Sequence, residues 1–82
     1  MEILVLGPGC AKCEKLYAEA EKAVASSGAP VELRKVVKLD EIASHGVMLT
    51  PALVINGQVK SSGNVPRASQ IADWIAAEGG SQ

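Results

Sequence analysis

Apolar and polar positions alternate along this chain in seven distinct segments. Glu2 to Leu6 carries the unbroken apolar run ILVL and stops at Gly7-Pro8-Gly9. An apolar run this short, unalternating and bounded by turn residues reads as a strand buried on both faces. From Ala11 to about Ser27 the period becomes helical. Leu16, Ala20, Ala23, Val24 and Ser27 recur at three- and four-residue intervals, and Glu14, Lys15, Glu19 and Lys22 lie between them as solvated surface. Alanine is abundant, no proline interrupts, and Gly28 supplies the stop, with Pro30 shortly after.

Val31 to Val37 alternates at first, as an edge strand does. Asp40 to His45 predicts a short helix ended by Gly46. A second wholly apolar run, Ala52 to Ile55, follows Thr50-Pro51. Asn56-Gly57 then turns it back into Gln58 to Ser61, the strongest hairpin signal in the chain. Ser62 to Val65 read as a loop, Pro66 as a helix first turn, and Ile71, Trp74, Ile75 and Glu78 as the final helix. The order is β-α-β-α-β-β-α. The two apolar strands should be central and the two mixed ones edges. A right-handed parallel βαβ unit followed by an antiparallel hairpin gives a four-stranded mixed α/β sheet of order 2-1-3-4, covered by helices.

The length of 82 residues fits one domain over 1–82, with 79–82 a fraying tail. Its core is thin, since a domain this size buries roughly 60–65% of its unfolded surface. A net charge of −1, no basic run, and Tyr17 and Trp74 as the sole aromatics give no footing for nucleic acid. No apolar segment has the length for membrane insertion, and MEILVL lacks the basic flank of a secretory signal. Met1 argues against trimming from a longer precursor. A cytoplasmic chain is expected, and there a structural disulfide is unusual.

That expectation bears on LGPGCAKCEKL, which places both cysteines within four positions. Cys10 falls at the end of the loop and Cys13 inside the first turn of the helix. Unpaired N–H groups and the positive end of the macrodipole favour a thiolate there. Lys12 adds a positive charge if it turns inward, and Gly9 leaves Cys10 open to an incoming disulfide. Cys13, one turn on, should be the more buried and poised to resolve a mixed disulfide on Cys10. The competing readings are a metal clip and mere proximity. A metal carrier or metallochaperone would use the same two thiolates, with His45 as a third candidate; the simpler role for His45 is a surface residue at a helix C-terminus. Metallochaperone domains of this kind run βαββαβ, whereas this chain ends on a helix. A regulatory interaction domain with a vestigial disulfide is disfavoured because both thiols are present.

Thr50-Pro51 is the second signal. A proline opening a central strand removes a ladder donor. A cis peptide bond is one physical way to accommodate it, and in this topology the bend faces the cysteines. Thr50 would then expose backbone groups able to hold an extended peptide. Met48, in the same loop, offers an adaptable apolar side chain to a substrate. Tyr17 is expected in the core with its hydroxyl at the rim, and Trp74 in the core.

GCAKCEKLYAEAEKAV, GVMLTPALVINGQVKSSGNVP and the element order together resemble the small thioredoxin-like proteins, a compact branch known as redox-active disulfide proteins. The resemblance covers almost the whole chain. It implies that Cys10 attacks, Cys13 resolves and Pro51 is a cis-proline beside them. It also implies electron exchange with protein disulfides, in partnership with a thioredoxin-reductase-like enzyme or a membrane electron carrier, and calls for no cofactor. Two features depart from the thioredoxin pattern. Pro8-Gly9 stands where a tryptophan usually precedes the pair, with Ala11-Lys12 in place of Gly-Pro. The first strand also offers no buried acid, leaving proton transfer to water or Lys12.

Overall fold

The computed structural model describes residues 1–28 and 30–79. Seven elements follow in chain order: β1 (Glu2–Leu6), α1 (Ala11–Ser27), β2 (Glu32–Val36), α2 (Leu39–Ser44), β3 (Ala52–Ile55), β4 (Gln58–Ser62) and α3 (Ala68–Gly79). They form one four-stranded sheet of order β2-β1-β3-β4. β1 pairs parallel with β2, and β3 pairs antiparallel with both β1 and β4. The α/β architecture and strand order match the expectation. Of the tail, residues 80–82 lie outside the described residues.

Each apolar strand is buried on both faces because each faces two layers. Ile3 and Val5 of β1, with Leu53 and Ile55 of β3, pack against Leu16, Ala20 and Ala23 of α1 and Ile71 and Ile75 of α3. Leu4, Leu6, Ala52 and Val54 point to the opposite face, where Val36 of β2 and Ile42 of α2 meet them. Tyr17 and Trp74 pack at the margin of the larger cluster and are only partly buried.

Two turns set the chain direction. Gly28 ends α1 in the left-handed region at φ 70°. Asn56 (φ 50°) and Gly57 (φ 82°) both take positive φ, the geometry of a tight hairpin turn whose twist matches the strands. Asn56 also clamps the start of β1. Its N–H donates to the Glu2 carbonyl at 2.9 Å, and its Oδ1 accepts from the Glu2 N–H at 3.0 Å.

The observed bounds differ from the pattern in α2, which runs Leu39–Ser44 rather than Asp40 to His45, and in β2, β4 and α3. β2 stops at Val36, leaving Val37 exposed. β4 carries one extra residue, because Leu53 pairs with Ser61 but Val54 with Val59, so Lys60 is bulged and reaches Glu78 of α3 at 3.0 Å. Pro66 is not in a helix first turn. α3 begins at Ala68, and its first helical bond runs from the Ile71 N–H to the Arg67 carbonyl at 3.0 Å.

Candidate active site

The parallel pairing of β1 with β2 and the antiparallel entry of β3 bring three chain segments to one end of the sheet. Leu6 is level with Val36 and with Ala52, so residues 7–10, 37–39 and 48–51 all emerge there. The Gly7 N–H extends the β1–β2 pairing by one more bond, to the Val36 carbonyl at 2.9 Å. Beyond Gly7 the chain turns, with Gly9 at φ 100°, a backbone conformation that disfavours a side chain. No atom lies within 4 Å of where a Gly9 Cβ would sit, so Gly9 is needed for the bend and not for space.

Cys10 is the N-cap of α1, and its Sγ accepts the backbone N–H of Cys13 at 3.3 Å. A sulfur therefore takes the capping position usually held by a Ser or Asp oxygen. The two cysteines are joined as a disulfide with Cα atoms 5.0 Å apart, inside the ordinary range for such a bond. Cys10 is exposed, and Cys13 is 5% exposed and faces the sheet. One of the two cysteines is open to solvent and the other shielded.

Gly7 makes that shielding possible. A Cβ on Gly7 would overlap Cys13 Sγ, lie 3.1 Å from Cys13 Cβ and sit 3.9 Å from Pro51 Cα. Cys13 thus occupies the space a Gly7 side chain would need, with Pro51 in ordinary contact distance of the same point. Pro51 is buried, its peptide bond to Thr50 is cis, and its carbonyl accepts the Gly63 N–H at 2.8 Å. Thr50 is exposed, and neither its N–H nor its carbonyl has a partner among the described residues. Met48 is 95% exposed, and Leu49 and Val37 in the loops of this end and Leu39 at the start of α2 are also largely exposed. The Lys12 residue is exposed, and its side chain makes no hydrogen bond or ion pair among the described residues. His45 caps the C-terminus of α2, and the described residues contain no cluster of three or more His, Cys, Asp or Glu, so the two sulfurs have no third ligand beside them.

Two features near the pair were not read from sequence. Glu14 and Lys35 form an ion pair at 3.3 Å, and the Lys35 ammonium lies 4.6 Å from the Tyr17 ring centroid, tying the start of α1 to β2. Glu19 is more than solvated surface. Its Oε1 accepts the Ala68 N–H at 2.8 Å, and so caps α3 from the neighbouring helix. That hydrogen bond, with Lys22 at 3.2 Å and the more distant Arg67, lowers the Glu19 pKa from its usual 4.5.

A carboxylate whose folded pKa is lowered contributes stability that is fully present above its unfolded value. The contribution disappears as pH falls through the folded value. Glu19→Ala is therefore expected to melt a few degrees below the parent at pH 7, and the gap should narrow as the medium is acidified below pH 4.5. Thermal melts across that range check it. A gap unchanged with pH would mean that the carboxylate charge is irrelevant to the cap.

Comparison with known proteins supplies the remaining findings. Residues 1–76 match the family described as thioredoxin domain. A thioredoxin of Methanothermobacter thermautotrophicus is 34% identical over 71 residues, which cover 87% of this chain and 92% of that protein. A thioredoxin of Methanocaldococcus jannaschii is 32% identical over 73 residues, covering 89% and 84% respectively.

Proposed function

We propose, from the premise that this chain belongs to the thioredoxin family and is a thiol–disulfide oxidoreductase with a C-x-x-C centre, that Cys10 is the attacking sulfur and Cys13 the resolving one. The observation that carries the assignment is the asymmetry of the pair. Cys10 is open at the helix start with a backbone N–H directed at its sulfur, while Cys13 is packed behind Gly7.

In the reduced protein, that N–H and the helix dipole favour a thiolate at Cys10. The Cys10 thiolate attacks one sulfur of a substrate disulfide. A Cys10–substrate disulfide forms, and the other substrate sulfur leaves as a thiolate that takes a proton from water. Cys13 then gives its proton to water and attacks Cys10 Sγ, releasing the second substrate thiol. Two electrons have passed to the substrate, and the chain is left with the Cys10–Cys13 disulfide.

Thr50 is exposed at this end with its N–H and carbonyl unpartnered among the described residues, and an extended substrate segment bonds to them. Met48 offers an apolar, adaptable contact to the same segment. Gly9 permits the bend that keeps Cys10 open, and Lys12 adds positive charge near the thiolate. The whole chain works as one domain on protein disulfides in the cytoplasm. A thioredoxin-reductase-like enzyme or a membrane electron carrier resets the pair. No helix among the described residues is long and apolar enough to cross a membrane.

Single-cysteine variants test the assignment. With Cys13 replaced, Cys10 should alkylate about tenfold or more faster at pH 7 than Cys13 does in the reciprocal variant, because the thiolate is the reactive form. Equal rates would remove the basis for the asymmetric roles.

A further inference from the structure

An open groove of about 400 Å³ runs between α1 and the loop that leads from β4 into α3, lined by Lys15, Ala18, Glu19, Val65, Pro66 and Arg67. Its floor is apolar, from Ala18, Val65 and Pro66, and its charged groups divide by commitment. The Glu19 carboxylate is occupied at both oxygens, one by the Ala68 N–H and the other by Lys22. Lys15 and Arg67, one on each wall, are held in no ion pair among the described residues. Arg67 also acts on Glu19 through its charge, so the groove lining, Lys15 and Arg67 against Glu19, carries one positive charge in excess, on a chain whose net charge is −1.

Its position relative to the disulfide matters as much as its charge. Lys15 lies four residues beyond Ala11, on the same helix face and about 6 Å further along the axis. Ala11 directly follows Cys10. Lys15 is five residues from Cys10, about 7.5 Å further along the axis and over a third of a turn around it. A segment with one sulfur at Cys10 thus reaches the groove within about five residues.

We infer that this groove seats an acidic segment of the partner protein, with a side-chain carboxylate near the reacting sulfur held between Lys15 and Arg67. The inference rests on the exchange reading above and names a partner feature that the sulfur chemistry leaves open. Complementary charge at the rim of a docking site acts mainly on the encounter rate and fades with added salt.

The test compares three synthetic peptides with the same internal disulfide, flanked by glutamates, glutamines or lysines, as substrates for the reduced chain. The glutamate peptide should be reduced roughly three- to tenfold faster than the glutamine peptide at low salt, and the lysine peptide slower than both. Lys15→Glu combined with Arg67→Glu should abolish or invert that order, while leaving the rate with 2-hydroxyethyl disulfide unchanged. If charge reversal unfolds the chain, the pair Lys15→Gln and Arg67→Gln should flatten the order instead. Equal rates for the three peptides, or an order that persists in the variants or in high salt, would overturn the inference. Failure of the wild-type chain to reduce 2-hydroxyethyl disulfide would instead defeat the exchange reading on which it rests.

Discussion

Cys13→Ser is expected to leave the chain covalently attached to its substrate. Cys10, exposed at the N-cap, can still attack a disulfide, but nothing remains behind Gly7 to displace the bound partner. The mixed disulfide should accumulate to near stoichiometry and be seen as one mass shift by intact mass spectrometry. Cys10→Ser should form no such adduct, because the surviving thiol is 5% exposed. Both variants should lose catalytic turnover by orders of magnitude, since each step needs its own sulfur. Cys13→Ala is a useful companion, because it keeps the buried site apolar and separates loss of the thiol from burial of a hydroxyl. Trapping by Cys10→Ser alone would reverse the assignment. Trapping by neither variant would remove the two-step exchange.

Gly7→Ala is expected to be the most disruptive single methyl in the molecule. The added Cβ overlaps Cys13 Sγ and lies 3.1 Å from Cys13 Cβ, while Pro51 Cα, at 3.9 Å, is only in ordinary contact. Cys13 does not yield easily, because it is fixed in the first turn of α1 and joined to Cys10. Overpacking of this kind costs about 1–3 kcal/mol or more, and a domain this size loses roughly 4–8 °C of Tm per kcal/mol. A fall of about 10–20 °C should follow, with slower exchange because the two sulfurs are pushed off their seat. Gly9→Ala is the control. It strains a positive φ but meets no neighbour, so its effect should be the smaller one. If Gly7→Ala melts with the parent and keeps its exchange rate, the close approach of Cys13, Gly7 and Pro51 is not what builds the site.

Legibility in the sequence followed the range of the interactions. α1 runs over Ala11–Ser27 and β3 over Ala52–Ile55, as their patterns predict, because helical periodicity and unbroken apolar runs are set by near neighbours. The cysteine pair could be placed at a helix start for the same reason, with glycine and proline before it and a helical pattern after it. Pro66 misled because proline suits a helix first turn by propensity, whereas α3 here begins where Glu19 of α1 can cap Ala68, a contact 49 residues away in the chain. Gly7 read only as the end of a strand. Nothing adjacent to it in the chain reveals that Cys13 and Pro51 close on it from two other elements.

The amino-acid order by itself determined the elements, the central and edge strands, and which sulfur sits at the helix start, because hydrophobic period, turn residues and capping act over a few residues. Tertiary structure alone decided that Gly7 had to lack a side chain, that Glu19 serves α3, and that Lys15 and Arg67 face each other across one groove. Those facts depend on how separate elements meet in space, Glu19 and Ala68 from 49 residues apart, and only the packed core fixes where they meet.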